Sequence, residues 1–166
     1  MRKSLVALPL VALFLLSACG NATEEKNGEK AESSSTTDTS KNGTKYEIGH
    51  TVKIDRVDFT IASAKLSYGE KNIKPKGKAL TLNVTAKNES DKKVLLASTE
   101  FTLYKNGKKQ ESYFGETNHL DGNLDRNKTV KGVLQYDVEG AGEYELIYKP
   151  AYINDKKEYK WHIEVK

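Results

Sequence analysis

From residue 46 onward the chain alternates apolar and polar residues with a period of two, and no stretch of it sustains a helical period. Val52 and Ile54 alternate with Thr51 and Lys53, and after Asp55-Arg56 the phase flips to Val57, Phe59 and Ile61, which argues for a turn or bulge there. Leu80, Leu82, Val84 and Ala86 make the next set, followed by Phe101 and Leu103, then Asn106-Gly107, a strong short hairpin signal. Val130, Leu134, Tyr136 and Val138 share one face with Gly132 between them. Tyr144, Leu146 and Tyr148 follow, and Tyr159, Trp161, Ile163 and Val165 form the last set. Residues in such a strand point alternately to opposite faces, so each sheet has one buried and one wet face, as two packed sheets require.

The intervening segments 69–77, 88–93, 115–128, 140–142 and 154–155 are rich in turn residues, and Pro75 and Pro150 fall at strand boundaries. The pattern predicts an all-β fold, an immunoglobulin-like antiparallel β-sandwich of 7–8 strands over residues 46–166. A small closed barrel is the alternative.

Residues 1–45 read differently. Arg2 and Lys3 precede an apolar run, Leu5 to Leu16, and small Ser17 and Ala18 precede Cys19, the only cysteine. This charged, apolar, small-residue layout is that of a secretory signal. The run of 12 residues is short of the roughly 20 needed to span a bilayer. Leu16-Ser17-Ala18-Cys19 resembles the lipobox of bacterial lipoprotein signals. The resemblance implies cleavage after Ala18 and a thioether-linked diacylglycerol on Cys19, residue one of the mature chain. A thiolate suits that alkylation, and two acyl chains hold a protein where one does so only marginally. An ordinary secreted protein with a free thiol is the alternative.

Residues 19–45 are then the lipid-anchored cysteine and a polar linker, with Ser33-Ser34-Ser35-Thr36-Thr37 at its centre and Ala22 and Ala31 as its only apolar residues after the cysteine. Such a composition predicts a disordered tether, with an average reach of roughly 25–30 Å. Cleavage of residues 1–18 removes Arg2 and Lys3 from the 27 basic residues, leaving 25 against 23 acidic, a formal +2. That balance argues against a nucleic-acid partner. With Cys19 lipidated, no disulfide or cysteine metal site remains, so the domain depends on its core.

Within the domain, four stretches carry a second resemblance: Val57-Asp58-Phe59-Thr60-Ile61; Pro75-Lys76-Gly77-Lys78 leading into Leu80 to Asn88; Phe101-Thr102-Leu103 with Gly107-Lys108; and Leu124 to Asp137. They resemble domain of unknown function 4352, an immunoglobulin-like, telokin-like family common in lipoproteins of Gram-positive bacteria and related in fold to the immunoprotective extracellular proteins. The family usually has Pro-Gly where this chain has Arg126-Asn127, and Asn can supply the left-handed conformation of the missing glycine. These motifs are turns and core faces. The resemblance implies a fold and brings no catalytic residues.

Candidate chemistry is sparse. Asp121, Asn123 and Asp125 match the first, third and fifth oxygen positions of a calcium loop, but Arg126 stands where glycine is needed and Gly132 where the bidentate glutamate belongs. None of His50, His119 and His162 is paired at ligand spacing, and with Met1 lost in processing and Cys19 lipidated a copper carrier lacks its soft ligands; each histidine reads as a surface residue, with His119 near Glu116 and Asp121 the least isolated. Most of the nine tyrosines sit at core-facing positions, while Tyr68, Tyr113, Phe114 and Tyr152 fall in or near loops and are candidate contact residues. Lys74, Lys76 and Lys78 form either a solvated turn or a surface for anionic polymer. No Gly-x-Ser-x-Gly, His-Glu-x-x-His or phosphate-loop motif occurs.

The expectation is a non-enzymatic binding or interaction module without a cofactor. It is held by lipid on the extracytoplasmic face of the cell membrane and meets an envelope or extracellular protein or polymer. The alternative is a small-molecule or divalent-metal carrier, or a weak hydrolase, using the His119–Asp125 loop.

Overall fold

The structure, a computed structural model, describes residues 38–39, 45–154 and 156–166. Ala18, Cys19 and most of the 19–45 linker lie outside the described residues. Strands follow one another along the chain: β1 (Asp38–Thr39), β2 (Lys45–Glu47), β3 (Thr51–Ile54), β4 (Val57–Ser67), β5 (Lys78–Asn88), β6 (Val94–Leu96), β7 (Phe101–Lys105), β8 (Lys108–Lys109), β9 (Glu111–Ser112), β10 (Gly122–Leu124), β11 (Thr129–Val138), β12 (Gly142–Tyr148) and β13 (Tyr159–Val165). Seven of these, β3, β4, β5, β7, β11, β12 and β13, have four residues or more and carry the architecture expected from the alternation. The remaining segments are two or three residues long and trim the edges.

The strands form a six-stranded sheet in the order β1-β3-β4-β5-β11-β9 and a five-stranded sheet in the order β2-β13-β12-β7-β8, with β10 and β6 paired separately. Pairing is antiparallel apart from two short edge strands, β1 on β3 and β2 on β13, which run parallel. Nearly the whole domain separates β2 from β13, so no tight turn dictates their relative direction. Asp38–Thr39 also brings a strand pair into the stretch read as tether.

Local chemistry sets the connections. Asp55 and Arg56 have φ of 44° and 65°, and Ile54 pairs directly with Val57. The phase flip is therefore a two-residue hairpin turn of the primed kind, whose twist suits the flanking strands. Asn106 and Gly107, at φ 51° and 76°, do the same between β7 and β8. Asn127 has φ 57°, the left-handed position expected of it.

The two inner faces meet in one core. Val57, Phe59 and Ile61 of β4 and Leu80, Leu82 and Val84 of β5 face Tyr144, Leu146 and Tyr148 of β12 and Trp161 and Ile163 of β13. Phe59 reaches across to the Tyr148 ring at 5.1 Å, and Tyr148 stacks on Phe101 at 3.9 Å. Aromatic pairs of this kind contribute about 0.5–1.5 kcal/mol each beyond the area they bury. Burial pushes the hydroxyls of Tyr136 and Tyr148 well above the ordinary tyrosine range.

Two features inside long loops complete the core. Leu120 is fully buried, and its backbone crosses Gly132 so closely that a Cβ there would lie 2.8 Å from the Leu120 Cα. Gly132 thus interrupts the apolar row of β11 to admit a loop residue in its place. Leu124, at the end of β10, is also in the core, held where β10 pairs with β6.

Candidate functional site

On the outer face of the six-stranded sheet the alternation breaks down. Ala79, Thr81, Val133 and Gln135 should face water by parity with their core-facing neighbours, yet all are buried. The backbone of 113–120 runs along β11 beside them: the Tyr113 N–H donates to the Gln135 carbonyl, Leu120 N–H to the Val133 carbonyl, and Val133 N–H to the Asn118 carbonyl.

Tyr113 is the centre of this arrangement. Its hydroxyl accepts the Glu70 N–H at 2.9 Å and donates to the Ile73 carbonyl. Gly69 and Gly115 press against the same hydroxyl; a Cβ on either would lie 2.6 or 2.3 Å from it. Two loops far apart in sequence, 68–77 and 113–120, thereby converge on one phenol. Gln135 adds a second clamp. Its Oε1 accepts the Gly115 and Glu116 N–H groups at 3.2 and 2.9 Å, while its Nε2 donates to Thr81 Oγ1 at 2.9 Å. Asp137 closes the far end of the 68–77 loop, accepting the Lys76 and Gly77 N–H groups at 2.7 and 2.9 Å.

Held on these struts are three of the four large apolar side chains that stand exposed among the described residues. Tyr68 is 80% exposed, Ile73 52% and Phe114 55%. Phe114 meets His119 edge-on at 5.1 Å, and Lys78 sits over the Tyr68 ring at 5.3 Å. The anticipated contact residues therefore divide. Tyr68 and Phe114 are displayed. Tyr113 is buried and serves as the strut, and Tyr152 packs on the core with its hydroxyl donating to the Ile54 carbonyl at 3.1 Å. Loop membership misled for these two because both side chains turn back onto the sheets. Of the lysines, Lys76 pairs with Glu111 at 2.8 Å.

In the His119–Asp125 loop both carboxylates are engaged by other parts of the chain. Both Asp121 oxygens are taken by Ser98, from its N–H at 2.6 Å and its hydroxyl at 3.0 Å. Asp125 pairs with Lys93 at 3.1 Å, and Asn123 lies in β10 opposite Leu95. Among the described residues no cluster of three His, Cys, Asp or Glu side chains is placed to hold a metal. His50 is exposed. His162 lies with Glu145 and Tyr104 in an open trough of about 430 Å³ on the outer face of the five-stranded sheet.

The family model for a domain of unknown function, DUF4352, matches residues 46–158. The chain belongs to the DUF4352 family. Its relatives include the uncharacterized lipoprotein YcdA of Bacillus subtilis, 26% identical over 155 residues, an alignment that takes in 92% of this chain and 40% of YcdA. The chain thus spans less than half the length of that relative. The crystal structure of YcdA superposes with a TM-score of 0.60 at 24% identity, over 69% of this chain and 38% of that one. The yjhA protein of Bacillus subtilis also gives 0.60 at 24% identity, over 72% of this chain and 99% of its own. At that identity the solved structures speak for the fold of this DUF4352 domain.

Proposed function

We propose that the chain is a lipid-anchored, extracytoplasmic binding module that meets a partner at the cell envelope through the Tyr113-pinned platform. The observation that carries this reading is the use of buried polar side chains, Tyr113 and Gln135, to immobilise two loops whose exposed side chains include Tyr68, Ile73 and Phe114. Surface loops are ordinarily the mobile part of a domain. Fixing them before contact removes ordering entropy from the cost of binding, the usual logic of a preorganised recognition surface. Aromatic residues held outward supply the large contact area that interface hot spots draw on.

The lipid anchor rests on the Leu16-Ser17-Ala18-Cys19 motif and on the lipoprotein name of the relative YcdA. Diacylglycerol on Cys19 would be the sole prosthetic group, and the partner would be an envelope or extracellular protein or polymer. The role is non-enzymatic.

Photo-crosslinking from intact cells tests the platform. A photoreactive residue at position 68 or 114 should capture a discrete partner, and capture should fall when Ile73→Asp disrupts the neighbouring surface. Adducts no different from those of a lipidated tether without the domain would overturn the reading.

A further inference from the structure

Both sheets leave a strand edge uncovered on the same side of the sandwich. In the six-stranded sheet β4 runs for eleven residues, but β3 covers only Val57–Thr60 of its outer edge. The Ile61 carbonyl accepts the Gly49 N–H, a bulge follows between Ile61 and Ser63, and 62–67 continues with no strand beyond it among the described residues. In the facing sheet β2 covers Lys160–His162 of β13 and stops, leaving Ile163–Val165 without an outer strand among the described residues. The two uncovered stretches flank an open cleft of about 550 Å³ lined by Ala64, Lys65, Leu66, Glu164, Val165 and Lys166. Ala64 and Leu66 pack on the rim of the core yet are only partly buried, so apolar surface meets water here.

A row of unpaired backbone donors and acceptors is matched by one kind of group, another extended backbone, and alternate side chains of that strand then fall into the adjoining pocket. The same edges already hold added strands, β3 on β4 and β2 on β13, so the cleft continues an existing mode of pairing. Lys65 lies in the middle of the free stretch and makes no ion pair among the described residues. We infer that this cleft receives an extended segment of a partner protein, alternately apolar and acidic, added along β4 in line with β3. Its apolar residues enter beside Ala64, Leu66 and Val165, and its acidic residues meet Lys65. A second copy of the chain fits less well, because antiparallel self-pairing brings two Lys65 side chains onto one face of the joined sheet, where like charges repel.

The test uses the full chain and three synthetic probes: the peptide Val-Glu-Val-Glu-Val-Glu-Val, its Val-Lys counterpart, and the first peptide N-methylated at every residue, so that neither edge can donate. Amide chemical shifts should move at 64–67 and 163–165 with the Val-Glu peptide. The N-methylated and Val-Lys peptides should bind at least tenfold more weakly, and Lys65→Glu should reverse the charge preference while leaving the unliganded spectrum folded. Equal binding of the N-methylated peptide, shifts confined to Tyr68, Ile73 and Phe114, or self-association along 62–67 in the absence of peptide would overturn the proposal. The first two results leave the Tyr113 platform untouched, so the two surfaces are judged separately.

Discussion

Tyr113 shows how much one side chain can organise when it is buried at a junction. Its hydroxyl is both donor and acceptor, to Ile73 and from Glu70, across some forty residues of chain. Tyr113→Phe keeps the ring and removes both bonds. The expected result is a stability loss of about 1–2 kcal/mol in urea unfolding, with hydrogen exchange accelerated selectively at Glu70 and its neighbours. A loss spread evenly over the domain would mean that the hydroxyl does not hold the loop. Glu89 gives a pH signature at the same scale. Hydrogen bonds from Lys53 at 2.6 Å and Lys87 at 2.7 Å, reinforced by their charges, hold its carboxyl down to about 2. A folded pKa below the unfolded one means that Glu89 contributes stability above the ordinary glutamate range, and that this is lost as pH falls from there through about 2. An NMR titration of the Glu89 carboxyl should place its midpoint near 2, and Lys53→Met together with Lys87→Met should return it toward the ordinary value. Glu89 and its two lysines lie at the protein surface, so salt should weaken the effect.

Among the elements, the turn that follows β5 does more than reverse direction. Asn88 is fully buried; its Nδ2 donates to the Lys92 and Leu124 carbonyls at 2.7 and 3.0 Å, and its Oδ1 accepts the Ser90 N–H at 2.9 Å and the Ser90 hydroxyl at 2.6 Å. It thus ties the turn to the end of β10. Asn88→Ala leaves buried carbonyls without donors and should cost about 2–3 kcal/mol, read as a lower urea midpoint with an unchanged slope. This part of the chain was poorly legible beforehand. Residues 115–128 look like one polar loop, yet they contain β10, which pairs with β6 more than twenty residues upstream, and Leu120, which enters the core opposite Gly132. A three-residue strand is too short to show a period, and the local hints were an apolar Leu124 in a polar loop and a glycine in an otherwise apolar row. The long strands were legible because each buries a whole face, and a face of four or five residues leaves its period in the sequence.

At the scale of the whole molecule, the sandwich closes without a covalent staple, since the only cysteine is Cys19. Cys19→Ala should release the chain from the membrane fraction or halt its processing, and membrane association unchanged by the substitution would sink the anchor. Trp161, the sole tryptophan and fully buried, should report unfolding of the β-sandwich in the wild type and in Cys19→Ala alike.

The sequence by itself determined the class of fold, the core-facing set of each long strand, the Asn106-Gly107 hairpin, a turn or bulge at Asp55-Arg56 and the left-handed Asn127. All of these follow from neighbours within a few residues, through side-chain alternation and backbone sterics. It also carried Leu16-Ser17-Ala18-Cys19, a linear motif that resembles a lipobox and needs no fold to be read. Only the tertiary structure decided that Tyr113 is a strut rather than a contact, that Asp121 is committed to Ser98, and that 62–67 of β4 and Ile163–Val165 of β13 have no outer strand among the described residues. Those outcomes depend on hydrogen bonds and edges between segments from about twenty to more than a hundred residues apart, and the partners of such groups exist only once the two sheets have closed on their core.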